Sequence, residues 1–97
     1  MSEREVEYVV FCIENVAEAL HKNGEEVFSI LKTSGLLYSY IIPSYEALHT
    51  QSKEYIVDEI ISVLKERLDS YMKDWPSYLV DLFETIEPKL YFFIHAH

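Results

Sequence analysis

Cysteine, glycine and proline are scarce in this chain: one, two and three residues among 97. A single cysteine, Cys12, excludes an intrachain disulfide and fits a reducing compartment. Two glycines exclude in practice a loop that cradles phosphate. With only three prolines beside them, they also leave too little turn material for an all-β protein. No apolar run approaches the roughly 18–20 residues that span a bilayer. The opening Ser-Glu-Arg-Glu-Val-Glu lacks the basic-then-apolar order of a secretion signal. Basic residues are few as well: eight against seventeen acidic ones, a net charge of −9. The acidity is spread along the chain, with eight acidic against three basic residues in 1–50 and nine against five in 51–97. Such a surface repels phosphate, which argues against nucleic acid and anionic membranes and favours a basic protein partner. These absences together predict a cytoplasmic protein that contacts neither membrane nor nucleic acid.

What is present is helical patterning. Hydrophobic residues make up 49% of the chain, enough for one globular domain over 1–97. Residues 3–22 carry Val6, Val9, Val10, Ile13, Val16, Ala17 and Leu20 at helical spacing, with Phe11 and Cys12 widening the apolar face. Ser2 and Glu5 have the spacing of a capping box. Asn23-Gly24 should stop this helix, with Gly24 in the left-handed conformation. Residues 25–33 predict a second helix, facing inward through Val27, Ile30 and Leu31 and ended by Ser34-Gly35. Leu36–Ile42 predicts a third, carrying Leu36, Leu37, Tyr40 and Ile41. Pro43 removes an N–H and disfavours helical geometry at Ile42, so a break or sharp kink is expected there. Ser44–His49 should add a helical turn or two, with Tyr45 and Leu48 inward. Residues 53–72 show a long stripe through Ile56, Val57, Ile60, Ile61, Leu64, Leu68 and Tyr71, capped by Ser52 or Thr50. After Trp75-Pro76, Ser77–Ile86 predicts a last helix through Leu79, Leu82, Phe83 and Ile86. Pro88 ends it, and Leu90–Ile94 is ambiguous between a helical turn, a strand and a packed tail. The fold class is all-α: a compact bundle of about five helices with a break at Pro43 and a short hydrophobic C-terminal segment.

Several chemistries are argued against by what these elements carry. A helix-turn-helix reading would make Leu36–Ile42 the recognition helix, yet it offers no Arg, Lys, Asn or Gln to base edges. Lys32 is the only Lys or Arg between Gly24 and His49. Cys12 and the histidines His21, His49, His95 and His97 show neither C-x-x-C nor H-E-x-x-H spacing, so no metal is expected. Cys12 has apolar neighbours and reads as core. No serine or cysteine sits in a nucleophile elbow, and paired acids such as Asp58-Glu59 read as solvated helix faces. The chain therefore predicts no enzyme and no cofactor.

The stretch Tyr38–Glu59 is more particular than folding requires. Tyrosine joins a large apolar body to a polar tip, which suits partly covered surfaces and interfaces. Three of the eight tyrosines flank Pro43: Tyr38, Tyr40 and Tyr45. The plain reading makes them the rim of a small core, with His49 capping the carbonyls of a helix end and Thr50 or Ser52 capping the next helix. The sharper reading places Tyr38, Tyr45, His49 and Gln51 on a surface that binds a partner.

The blocks Phe11-Cys12-Ile13-Glu14-Asn15, Gly24-Glu25-Glu26-Val27-Phe28, Tyr40–Gln51 (YIIPSYEALHTQ) and Glu54–Ile60 (EYIVDEI) resemble, in that order, a bacterial family of small proteins of unknown function. The similarity covers about residues 5–67 and is most specific at Leu48-His49-Thr50-Gln51 and the Glu54-Tyr55 that follows. Residues 70–97 fall outside it, as an additional helix and tail. The resemblance implies a partner encoded by a neighbouring gene, an ADP-ribosyltransferase-like protein, in what looks like a toxin–antitoxin arrangement. It carries over no catalytic residues. The leading expectation is thus an antitoxin-like protein-interaction module. A second is a homodimer packed through Leu90–Ile94. A third is ligand binding or catalysis centred on His49, with Glu14 or Glu46 orienting it.

Overall fold

The computed structural model describes residues 1–86, in which six helical segments follow one another through short connections. Helix α1 spans Glu3–Leu20. Ser2 caps it by accepting from the Glu5 amide, and the Glu5 side chain returns the bond to the Ser2 amide at 3.0 Å. That reciprocal bonding holds the Glu5 carboxyl below its ordinary pKa: the Ser2 backbone N–H contributes most and the Ser2 hydroxyl next. The helix ends on His21, not on Gly24: His21 takes the left-handed conformation at φ 56°, and its amide donates to the carbonyls of Ala17 and Glu18. Gly24 is instead the first residue of α2 (Gly24–Thr33), whose cap is Asn23, in a second capping box with Glu26. An asparagine side chain that bonds the Glu26 amide at 2.8 Å supplies the helix start itself, so the turn does not need a left-handed glycine there.

At the end of α2 the expected glycine does appear in that role. Gly35 has φ 80°, and the buried Ser34 before it offers its carbonyl to Arg67 Nη1 at 2.8 Å. One long side chain from α4 thereby satisfies a backbone group that the helix end leaves open.

The third segment is not an α-helix. Leu37–Ile41 winds as a π-helix, with the Ile42 amide donating to the Leu37 carbonyl five residues back. Regular winding is interrupted at Pro43, as expected, but Ile42 keeps helical dihedrals (φ −62°, ψ −49°). In an α-turn the Pro43 ring would strike the Ser39 carbonyl, and the wider turn relieves that clash. The chain stays coiled through Pro43, with the Ser44 amide donating to Tyr40 at 2.9 Å, and enters the one-turn helix α3 (Tyr45–Leu48). Ser52 caps α4 (Lys53–Met72), and α5 spans Ser77–Ile86.

The core lies where α1, α2, the π-segment and α4 meet. Cys12, Val16, Val27, Leu31, Leu36, Ile41, Ile60 and Leu64 are enclosed there, and this burial is the main favourable term of the fold. The apolar arc of α1 is rotated relative to its sequence pattern. Val6 and Val10 remain exposed, and the arc turns instead toward Tyr8, which is buried. A tyrosine can replace a valine inside because its hydroxyl finds a partner. Tyr45 is half-buried, and Ile61, Leu68 and Leu79 lie at the margin. Leu82 is exposed, against its expected inward place. The inward placement expected of Tyr71, Phe83 and Ile86, and every expectation for residues 87–97, including Leu90–Ile94, lie outside the described residues. Among the described residues no helix is long and apolar enough to cross a membrane.

Candidate functional site

The corner between α3 and α4 is built from short-range capping. His49 Nδ1 lies 2.6 Å from the Tyr45 carbonyl. A carbonyl oxygen can only accept, so Nδ1 carries the proton and Nε2 of the neutral ring is left as an acceptor. The same i, i+4 relationship stacks the two rings, with centroids 4.3 Å apart and planes 15° from parallel. The Gln51 amide then donates to the Leu48 carbonyl at 2.9 Å, and the Ser52 hydroxyl accepts from the Tyr55 amide at 3.2 Å. Of the two capping residues considered for α4, Ser52 takes the role. The plain reading of His-Thr-Gln as a helix–helix corner is therefore correct as far as the backbone goes.

The side chains go further. Tyr8 of α1 sets its ring edge-on to Tyr45, with centroids 5.4 Å apart and planes at 79°. Its hydroxyl lies 2.8 Å from Ser44 Oγ. The result is an open recess of about 440 Å³, with Tyr45, His49 and Gln51 on one wall and Arg4, Glu7 and Phe11 of α1 on the other. Three of the four residues expected at a contact surface are thus brought together. Tyr38 is not among those lining the recess; it is exposed on the π-segment instead. Sequence reasoning missed the α1 wall. Tyr8 and Phe11 were legible as aromatics on the shoulder of the α1 stripe, but their facing of the corner depends on how α1 packs.

Among the described residues near this site, the one thiol is not activated. Cys12 is fully enclosed one turn after Tyr8, and burial pushes its thiol up to about 11. Burial likewise pushes the Tyr8 hydroxyl up to about 12. The Tyr40 hydroxyl is also raised, by burial first and then by Glu59. Among the described residues no group of three His, Cys, Asp or Glu is placed to hold a metal ion.

A family described as a protein of unknown function, DUF3791, matches residues 7–67. The chain belongs to the DUF3791 family. No curated protein and no solved structure matches it. The DUF3791 region takes in α1 from Glu7, α2, the π-segment, α3 and α4 as far as Arg67. It therefore contains the whole corner and all of the recess except Arg4, while α5 lies beyond it.

Proposed function

We propose that this DUF3791 protein is a cytoplasmic, non-enzymatic protein-interaction module of bacterial origin. Its partner is encoded by an adjacent gene and is masked much as an antitoxin masks a toxin. The observation that carries this reading is the recess at the α3–α4 corner. Tyr8, Phe11, Tyr45 and His49 offer aromatic surface there beside the polar Gln51, the mix that interfaces favour. The net charge of −9 adds long-range attraction for a basic partner. The test is co-expression with the product of each adjacent gene. A stoichiometric complex is expected, and the double substitution His49→Ala, Gln51→Ala should disrupt it. Absence of a complex with either neighbour would sink the reading.

A homodimer is the second reading. Exposed Tyr78 and Leu82 on α5, together with exposed Val6 and Val10 on α1, favour it. Sedimentation separates the two: a monomer over the micromolar range counts against self-association.

A further inference from the structure

A second open recess, of about 460 Å³, lies on the same side of α1 as the first. Arg4, Glu7 and Phe11 line the first, and Asn15, Glu18 and Ala19 line the second. Positions 4, 7, 11, 15, 18 and 19 recur at helical spacing, so they form one face of one helix. On the opposite wall α4 contributes Ile56 to the first recess and Val57 to the second. The two recesses share no lining residue; they lie end to end along this face of α1 over about 22 Å from Arg4 to Ala19 at 1.5 Å per residue, and we take them together as one groove.

The groove has a direction. Its first end is aromatic, through Tyr8, Phe11, Tyr45 and His49. Its second end carries Glu18, Glu54 and Asp58 against the single cation Lys53. Glu54 and Asp58 stand i, i+4 on α4, a like-charge spacing that disfavours the helix. No ion pair within the described residues offsets any of these three carboxylates. Excess negative charge along a groove repels nucleic acid and attracts cationic side chains.

We propose that the occupant of this groove is a basic amphipathic segment of the partner protein. It seats an apolar side chain at the Tyr8–Phe11–Tyr45 end and a Lys or Arg against Glu18, Glu54 and Asp58. This rests on the protein-interaction reading and adds to it the partner's chemistry and the direction in which it lies.

The experiment uses the full chain as bait for a random displayed-peptide library. Enriched peptides should pair an aromatic or aliphatic residue with Lys or Arg. A synthetic copy of the most enriched peptide should bind less tightly as salt rises. The double charge reversal Glu18→Lys, Asp58→Lys should weaken it about tenfold or more. Both sites are exposed, and helicity by circular dichroism checks the fold. Glu18→Gln, Asp58→Asn should act in the same direction by less. Selection of peptides without basic excess, binding indifferent to both variants, or no enriched peptide at all overturns the proposal. If the adjacent-gene complex forms and survives the charge reversal, the interaction reading stands and only the groove fails.

Discussion

Tyr8 and Ser44, 36 positions apart, are joined by a 2.8 Å hydrogen bond whose donor is the tyrosine. Ser44 Oγ already donates its one proton to the Ile41 carbonyl at 2.7 Å, so toward Tyr8 it can only accept. The bond pins α1 to the Pro43 corner. Tyr8→Phe should therefore cost about 1 kcal/mol, seen as a lower urea midpoint with an unchanged slope. Ser44→Ala should cost at least as much, because the tyrosine hydroxyl is then left buried without its acceptor. A double-mutant cycle should return a coupling of about 0.5–1.5 kcal/mol, and additive losses would contradict the geometry.

Alkaline pH should destabilise the fold. Cys12 and Tyr8 are neutral when protonated, and burial raises both in the folded state, from 9.0 to about 11 and from 10.0 to about 12. The unfolded chain gives up these protons first. Their contribution is thus complete below about pH 9 and is lost as the pH rises through 11 and 12. Urea midpoints measured across this range should fall, and the fall should be shallower in Cys12→Ala. In the native protein at neutral pH the thiol should resist an aromatic disulfide reagent and react once urea is added.

The two glycines should respond unequally to alanine. At Gly35, φ is 80° and the nearest atom to an added Cβ is Arg67 Nη1 at 3.7 Å. There is room, but the left-handed backbone penalises any side chain, so Gly35→Ala should lose about 1 kcal/mol. At Gly24 an added Cβ would come 2.7 Å from Glu14 Oε1, the far end of a flexible carboxylate that can swing away. Gly24→Ala should change stability by less than about 0.5 kcal/mol, since losing unfolded-chain entropy offsets the crowding. Thermal unfolding of the pair gives the comparison.

Arg67→Met keeps the apolar stem and removes the bond to the Ser34 carbonyl. It should cost about 1 kcal/mol, from loss of the charge-assisted bond to that carbonyl. Arg67→Lys should recover only part of this, because the shorter ammonium lacks the reach of the Nη1 position. Chemical denaturation of the three proteins orders them.

His49→Ala removes an exposed side chain whose intramolecular role is one cap and one ring stack. Stability should fall by no more than about 1 kcal/mol. Loss of the complex with only a small change in melting temperature is the expected result, and the reverse would make His49 a folding residue alone.

Much of the fold was legible locally. The 3.6-residue period located α1, α2, α4 and α5, the Ser2 capping box marked the start of α1, and Gly35 and Ser52 marked an end and a start because capping involves only neighbours in the chain. The His49 cap was readable for the same reason. Local rules went wrong where two of them competed. Gly24 was the better left-handed residue by steric rule, yet the cap at Asn23 claimed it for the next helix and His21 took the strain. At Pro43, proline sterics foretold an interruption but not its form, a π-turn that lets Ile42 stay helical.

The sequence by itself determined an acidic, all-helical chain with a capped corner at His49, since composition and spacing within one or two turns suffice for each. Only the tertiary structure decided which way α1 faces. Periodicity bounds an apolar arc but does not choose its centre, and Val10 and Tyr8 lie at its two edges. Packing excluded Val10 and admitted the tyrosine, because Ser44 was there to accept its hydroxyl. That rotation brings Phe11 and Glu7 opposite Tyr45 and His49, and leaves Tyr38 apart from the recess they form.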